Sequence, residues 1–385
     1  MSVVGLYAGV AGLELGFKEA GFKTLLLADK DEHCQQLLTA RFPNTTVVGD
    51  VANLSRFPEG TTIVTAGFPC QNLSMAGNKE GITGQKSGDI RHLFELLGTD
   101  VRPTLVIENV YFMLHLKKGA AMNSLVGDLE ALGYRWGYRV VNTMAFGLPQ
   151  RRRRVLLVAS TSLDPRDILF ADEAGLPMSG PVTLDRPVGF YWTEGRSGVG
   201  TTADGIPPLK IASTLGIPSA PAVLFPDGEV LKPGIEACER LQGFPVGWTD
   251  LDYGVRRSPR WSMVGNAVSV PTASWLAHSL KAPRPMLDFV TQPLVDGAPW
   301  PTAAYGDDHG RFAVEASEYP VRHPVISIEE FRDSSWIPLS ARALRGFILR
   351  AKEGGLRFPG GFLPALERAL AKAERREERR SDTSH

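Results

Sequence analysis

A cysteine stands in the turn Gly67-Phe68-Pro69-Cys70-Gln71, directly after the apolar run Thr61-Thr62-Ile63-Val64-Thr65. A thiol in a glycine-flanked turn is partly exposed, and nearby backbone donors or basic groups stabilise its thiolate, the nucleophilic form. Cys34 and Cys238 sit within helical apolar patterns instead, where a free cysteine behaves as a small buried hydrophobe. Glu108-Asn109 ends the purely apolar run Thr104-Leu105-Val106-Ile107. A carboxyl there is costly to desolvate unless it is paired or used for acid–base work. Arg151-Arg152-Arg153-Arg154 leads into the apolar strand Val155–Ala159. Strand alternation predicts Arg152 and Arg154 on one side, for phosphate or base contact; a basic surface patch is the plainer reading. Gly9 and Gly12 let backbone approach a nucleotide-like ligand, and Asp29 follows Gly9 by 20 residues. That offset suits the ribose hydroxyls of a dinucleotide or of S-adenosylmethionine, although a Gly-rich turn also serves as a simple strand-to-helix connection.

These residues need a scaffold that brings strand ends to one edge. Val3–Tyr7, Thr24–Ala28, Thr45–Val48, Thr61–Thr65 and Thr104–Ile107 read as strands, alternating with helical stretches at Leu13–Ala20 and Glu32–Phe42. A further helix near Ala120–Leu132 stops at Gly133, and strands follow at Arg139–Thr143 and Val155–Ala159. Near-continuous apolar strands alternating with helices predict an α/β fold with a doubly wound, mostly parallel sheet. Ligands of such sheets bind outside the carboxyl ends of the strands, where Tyr7, Gly9, Asp29, Asp50, Cys70 and Glu108 fall. The glycines at 77, 81, 84 and 88 make the stretch from Gln71 to Gly88 a closing loop beside the nucleophile. Beyond Ser160, proline and glycine become frequent, and 165–227 reads as short strands and loops of a second domain. Helical pattern returns at Pro271–Leu280, Leu339–Lys352 and Leu363–Arg380; the mixed-charge end is a solvated helix face.

Composition narrows the class. With 42 Lys+Arg against 42 Asp+Glu, 43% hydrophobic and 22% charged residues, the chain is ordinary globular protein. No apolar run approaches membrane-spanning length, and Met1–Leu6 has no basic leader, so neither membrane insertion nor secretion is expected. Three scattered cysteines exclude a disulfide framework and a zinc ribbon, and a reducing cytoplasm is the expected home. Zero net charge counts mildly against nucleic-acid binding, unless positive charge is concentrated locally around Arg151–Arg154 and the second domain.

Taken in order, these segments resemble the DNA (cytosine-5) methyltransferase family over roughly Val3–Leu280. Gly5–Phe17 is similar to the family's cofactor loop, with Tyr7 where Phe is usual and Ala11 where Gly is usual. Asp29 stands at the ribose-binding position and Gly49-Asp50-Val51 resembles the adenine-binding turn. Gly67–Gly77 resembles the nucleophile motif, Glu108-Asn109-Val110 the Glu-Asn-Val motif, and Gln150–Arg154 the Gln-x-Arg-x-Arg motif. Arg240–Pro245 resembles the segment ending the recognition region, and Gly265–Pro271 the late motif whose helix returns beside the first strand.

The resemblance implies a Rossmann-like methyltransferase sheet, a smaller loop- and strand-rich target-recognition domain, and S-adenosylmethionine as cofactor, with no metal. Cys70, Glu108, Arg152 and Arg154 are implied as catalytic residues. Tyr7, Ala8, Gly9, Gly12, Leu13, Asp29, Lys30, Asp50, Val51, Gly67, Pro69, Leu93, Asn266, Ala267 and Val268 are implied at the cofactor. Gln71, Ser74, Gln150, Arg186, Arg196 and Lys210 are expected at DNA. The expected domains are 1–160 completed by 262–282, a recognition domain at 161–261, and a C-terminal extension at 283–385. The implied partner is double-stranded DNA, with a cognate restriction endonuclease acting separately; a monomer is expected, or a dimer through the extension. A tRNA cytosine-5 methyltransferase of the same family is the nearest alternative. A nicotinamide oxidoreductase would leave Cys70, Glu108 and the arginines unemployed, and intact Cys70 and Glu108 count against a non-catalytic DNA-binding module.

Overall fold

Strands buried on both faces need apolar side chains at nearly every position, and the N-terminal strands of this chain have them. A computed structural model describes residues 1–67, 88–98, 101–178, 182–198, 200–211, 220–255, 259–295 and 297–382. Two compact units result: Met1–Phe146 with Arg153–Leu176 and Ala267–His323, and Gly147–Arg152 with Pro177–Asn266 and Pro324–His385.

The first unit is built from β1 (Ser2–Leu6), α1 (Gly12–Glu19), β2 (Lys23–Ala28), α2 (Glu32–Arg41), β3 (Thr46–Val48) and β4 (Ile63–Ala66). It continues with α3 (Gly88–Leu97), β5 (Thr104–Val110), α4 (Ala120–Ala131), β6 (Arg135–Asn142), β7 (Arg153–Ser160) and α5 (Pro165–Leu169). Helix Val270–Lys281 and strands Thr291–Pro293, Ala303–Asp307 and Gly310–Val314 complete it. From one edge the sheet runs β3-β2-β1-β4-β5-β7-β6, then the strands at 303–307, 310–314 and 291–293. β1 to β5 are parallel, and β7 runs antiparallel between β5 and β6. Alternate side chains feed two cores: Val4, Leu6, Leu105 and Ile107 pack towards α3 and α4, while Val3 and Val106 pack with Phe17, Leu276 and Leu280. Both faces are therefore apolar, as the unbroken runs required.

Helix Val270–Lys281 lies against α1, and a glycine makes the approach feasible. A Cβ at Gly16 would stand 2.6 Å from the Ala273 Cβ and 2.8 Å from the Val270 carbonyl oxygen. The C-terminal strands cover the β6 edge by antiparallel pairing of Ala303–Gly306 with Arg139–Trp136. A free edge is an aggregation liability, so this pairing protects the sheet. Trp300 packs 5.9 Å from Trp136, and its indole N–H donates to the Gly119 carbonyl.

The second unit is a five-stranded antiparallel sheet ordered Ile337–Pro338, Val230–Lys232, Ala222–Leu224, Val188–Phe190, Thr202–Ala203. Helices Ala341–Glu353 and Phe362–Asp382 supply Leu344, Phe347, Ile348, Phe362 and Leu366 to one core. There the Phe190 ring lies 4.8 Å from that of Phe347 and 5.2 Å from that of Phe362. A separate core gathers Leu148, Ile206, Leu209, Val223, Leu241, Val264, Phe331 and Trp336.

The division differs from the sequence-based boundaries. The stretch 283–385 does not form one extension: it splits near His323, its first part adding strands to the large sheet and its second completing the small one. The reason is pairing. The strands at 303–307, 310–314 and 291–293 extend the large sheet beyond β6, and Ile337–Pro338 pairs with Val230–Lys232 in the small one.

Candidate active site

Three of the five residues from Tyr7 to Ala11 take left-handed backbone, with φ of 54° at Tyr7, 56° at Gly9 and 62° at Ala11. An L-residue such as Ala11 in that region is strained by about 1–2 kcal/mol. The sharp turn is closed by the Ala11 amide donating to the Ala8 carbonyl (2.8 Å) and opens α1. β1 is flanked by β2 on one side and β4 on the other, so this turn stands where the strand order reverses, the usual place for a ligand in such sheets.

Asp29, at the end of β2, is locked to that turn. Its Oδ2 accepts from the Gly9 amide at 2.7 Å and its Oδ1 from the Asp31 amide at 2.9 Å. Burial nonetheless raises its pKa above the ordinary carboxylate value. Asp50 accepts from the Ala52 amide (2.9 Å) and caps the turn Val51–Asn53. Gly67, after β4, donates to the Leu6 carbonyl at 3.4 Å. Among the described residues nothing lies within 4 Å of a Cβ placed on Gly9. A glycine turn beside a fixed carboxylate fits S-adenosylmethionine, whose ribose diol needs an acceptor and whose chain must pass close to backbone. Tyr7, Ala8 and Val268 are half-buried and Lys30 is exposed, while Gly12, Leu13, Val51 and Ala267 are buried. Leu93 departs from expectation: it is fully enclosed in the core beneath α3, because the apolar face of that helix turns to the sheet, and it presents no surface to a ligand. Asn266 is exposed at the end of helix Arg260–Asn266 in the second unit.

Beneath the turn, α1 buries Glu14. The Thr65 hydroxyl on β4 donates to its Oε1 at 2.5 Å, and Oε2 has no hydrogen-bond partner among the described residues. Desolvation lifts its pKa from 4.5 to about 7. Gly5 leaves the room this carboxyl occupies, since a Cβ there would sit 2.5 Å from Oε1. Sequence reading missed this residue; a lone Glu in the apolar stripe of α1 was the signal.

Glu108 and Arg154 meet at the end of β5. Val110 pairs with Arg154 across the β5–β7 ladder, which sets Glu108 and Arg154 diagonally on one face. Arg154 Nε lies 3.0 Å from Glu108 Oε1, and both side chains are largely buried. The other arginines go elsewhere, so the run is not a surface patch. Arg153 stacks on Tyr111 (3.8 Å to the ring centre) and pairs with Glu318. The Arg151 amide donates to the Ile206 carbonyl at 2.9 Å. Arg152 precedes β7, so strand alternation does not reach it; its guanidinium is buried in the second unit, donating to the carbonyls of Leu209 (2.9 Å) and Gly265 (3.5 Å). It does not share a strand face with Arg154.

Gln150 also corrects an expectation. Instead of reaching DNA it is fully buried: its amide donates to the Leu241 carbonyl (2.9 Å) and Gln242 Oε1 (3.1 Å) and accepts from the Leu209 amide (2.9 Å). A buried primary amide is stable only when its donors and acceptor are matched in this way. Arg186 is exposed, Arg196 is exposed and pairs with Glu353, and Lys210 pairs with Glu194 at 2.8 Å. Pro69, Cys70, Gln71 and Ser74, with most of the expected closing loop, lie outside the described residues. Among the described residues no cluster of three His, Cys, Asp or Glu could hold a metal ion, and no helix is long and apolar enough to cross a membrane.

A doubly wound sheet whose strands β1 to β5 are parallel carries a glycine turn and a fixed carboxylate at its switch point and an Arg–Glu pair on neighbouring strands, the arrangement of a cofactor-binding α/β enzyme. Residues 1–170 match the model of the C-5 cytosine-specific DNA methylase family. The chain is 39% identical over 382 residues to the Type II methyltransferase M2.BsuMI of Bacillus subtilis (strain 168), covering 96% of this chain and 98% of that one. It is 26% identical over 303 residues to the Type II methyltransferase M.HaeII of Haemophilus aegyptius, covering 72% and 92%. In fold it is similar to the S. pombe Dnmt2 methyltransferase crystal structure, with a TM-score of 0.52 and 14% identity over 73% of this chain and 98% of that one. The chain belongs to the C-5 cytosine-specific DNA methylase family and is an S-adenosylmethionine-dependent DNA methyltransferase.

Proposed function

We propose that Cys70 attacks C6 of a target cytosine while Glu108 and Arg154 hold the ring, the second unit reading the surrounding duplex. Cytosine C5 is a poor nucleophile in an aromatic ring. Addition of the Cys70 thiolate to C6 breaks the aromaticity and leaves an enamine whose C5 is nucleophilic. S-adenosylmethionine, when bound, supplies an electrophilic methyl group. Negative charge grows towards N3 during addition; a protonated Glu108 donates there while its other oxygen accepts from the 4-amino group, a demand that thymine and uracil fail. Arg154 fixes the Glu108 carboxyl and would hold the cytosine O2. Loss of the C5 proton and of the thiol restores the ring.

A cytosine inside a duplex cannot present C6 to a thiolate, so the base must flip out, at a cost of a few kcal/mol. Tyr7, Ala8, Gly9, Asp29, Asp50 and Gly67 are the residues that would hold the cofactor, with Asp29 on the ribose. Arg152 and Gln150 act from behind, shaping the second unit. Arg186, Arg196 and Lys210 are its DNA contacts, phosphate contacts setting register rather than sequence. The enzyme would work in the cytoplasm beside a separate cognate endonuclease; in support, its relatives are named Type II methyltransferases.

The observation that carries this reading is the Arg154–Glu108 pair at 3.0 Å, which places an acid and its orienting cation at the strand end expected to face the base. The test is Cys70→Ser, which should abolish methylation of duplex DNA while S-adenosylmethionine binding persists. The wild-type enzyme should form a covalent complex with a duplex carrying 5-fluorocytosine at its site, and tRNA should not be methylated. A variant that still methylates would overturn the nucleophile assignment.

A further inference from the structure

The second helix-bearing half of the small unit does more than cover its sheet. Helix Ala341–Glu353, far outside the segment matched by the family model, sends Arg350 back to the Tyr191–Ser197 loop. There its Nη2 donates to the Trp192 carbonyl at 2.8 Å and its Nε to the Glu194 carbonyl at 2.9 Å. One planar guanidinium thus reads two carbonyls of a single loop, which fixes the loop's path as well as its position. Backbone contact tightens the joint. A Cβ on Gly195, whose φ is +131°, would meet the Ala351 amide and the Arg350 Cβ at 3.1 Å. A Cβ on Gly354 would stand 2.3 Å from the Arg196 Cα, and the Gly355 amide donates to the Arg196 carbonyl at 3.2 Å.

The loop is also tied to the arginine motif. Glu194 takes Lys210, whose ammonium lies 4.0 Å above the Tyr191 ring. The adjacent Leu209 is held through its amide by Gln150 and through its carbonyl by Arg152. A continuous series of bonds therefore runs from Gln150 and Arg152 through Leu209, Lys210 and Glu194 to Arg350. Its product is an exposed pair of cations, Arg196 and Lys210, in one fixed arrangement. Burial first, and then the charge of Arg196, depresses the Arg350 pKa, so two like charges are held together at a cost. The solvent-side answer to that cost is Glu353, 2.5 Å from Arg196 and more than half exposed. An exposed pair of this kind is weak and readily exchanged, and a phosphate is a better partner for arginine.

We propose that Arg350 is a positioning residue for target recognition: it braces the Tyr191–Ser197 loop so that Arg196 meets the DNA backbone, with Glu353 holding the place of the phosphate until DNA arrives. This rests on the reading that the second unit binds DNA, and the experiment separates the two. Full-length wild-type enzyme is first given plasmid DNA, and its site is read by bisulfite sequencing. No methylation of any duplex at this step overturns the underlying reading, and the present one with it. Steady-state methylation is then measured on duplexes carrying that site or single-base-pair variants of it. Arg350→Ala should raise the KM for DNA about tenfold, by the same factor at the preferred site and at its single-base-pair variants, with kcat within about twofold and cofactor affinity unchanged. Arg350→Lys should fall between, keeping one of the two bonds. Arg196→Ala combined with Arg350→Ala should be no worse than Arg196→Ala alone. Glu353→Gln, a surface change that tests the proposal even where Arg350→Ala does not fold, should lower the KM for DNA. Additive effects of Arg196 and Arg350, a uniform loss of kcat and cofactor binding, or an unchanged KM in Glu353→Gln would each refute the proposal.

Discussion

Glu14 gives the sharpest quantitative test. Its carboxyl is sealed between α1, β1 and β4, with one oxygen on the Thr65 hydroxyl and the other without a hydrogen-bond partner among the described residues. Desolvation therefore holds the proton on it to about pH 7, against 4.5 for an ordinary glutamate, with the Thr65 bond opposing and the charge of Asp29 adding to the rise. The sign follows from linkage. Below pH 4.5 the group is protonated whether the chain is folded or not. Between 4.5 and 7 only the folded chain keeps the proton, so stability falls as pH rises; above 7 the loss is complete. At roughly 1.4 kcal/mol per pH unit, that loss is about 3 kcal/mol. Glu14→Gln keeps an acceptor for Thr65 and never ionises. It adds buried N–H donors, but their cost is the same at every pH. Urea denaturation of both proteins from about pH 5 to about pH 8.5 isolates the effect, since all other groups are common to the two. The variant should gain about 3 kcal/mol on the wild type between about pH 5 and pH 8. Parallel stability curves would show that Glu14 is ionised in the folded protein and that the burial argument fails.

Other substitutions probe the remaining joints. Gly16→Ala should cost about 2–3 kcal/mol, read as a lowered urea midpoint, because the new methyl meets Ala273 and the Val270 carbonyl and must push helix Val270–Lys281 away. Ala11→Gly should raise stability by about 1 kcal/mol by relieving a left-handed residue at φ 62°, visible as a higher melting temperature. Arg154→Ala strands the buried Glu108 carboxyl without that partner. Single-turnover methylation should fall by about a hundredfold with cofactor affinity retained. A loss of cofactor binding equal to the loss of rate would place Arg154 in the cofactor site instead.

Much of the large unit was legible because its information is local. Unbroken apolar runs specify strands buried on both faces, glycines mark where the chain reverses, and a polar residue closing an apolar run marks a strand end. Asp29, Asp50 and Glu108 were therefore placed at one edge without coordinates, and Asp29 does lock onto the Gly9 turn. Alternation was expected to set Arg152 and Arg154 on one side, and it fails because Arg152 stands before the strand begins. Leu93 and Gln150 were misread for a related reason: a motif gives a residue's neighbours in sequence and says little about which way its side chain turns.

The sequence by itself determined the doubly wound sheet and the glycine turn after its first strand, since strand periodicity and turn residues act over a few neighbours. Only the tertiary structure decided where the last hundred residues go. Their strands and helices are plain in the sequence, but the edge each strand joins depends on which backbone groups remain unpaired once the rest has folded. That is a non-local question, and its answer divides the segment at His323, gives the large sheet three more strands and carries Arg350 to the loop that holds Arg196.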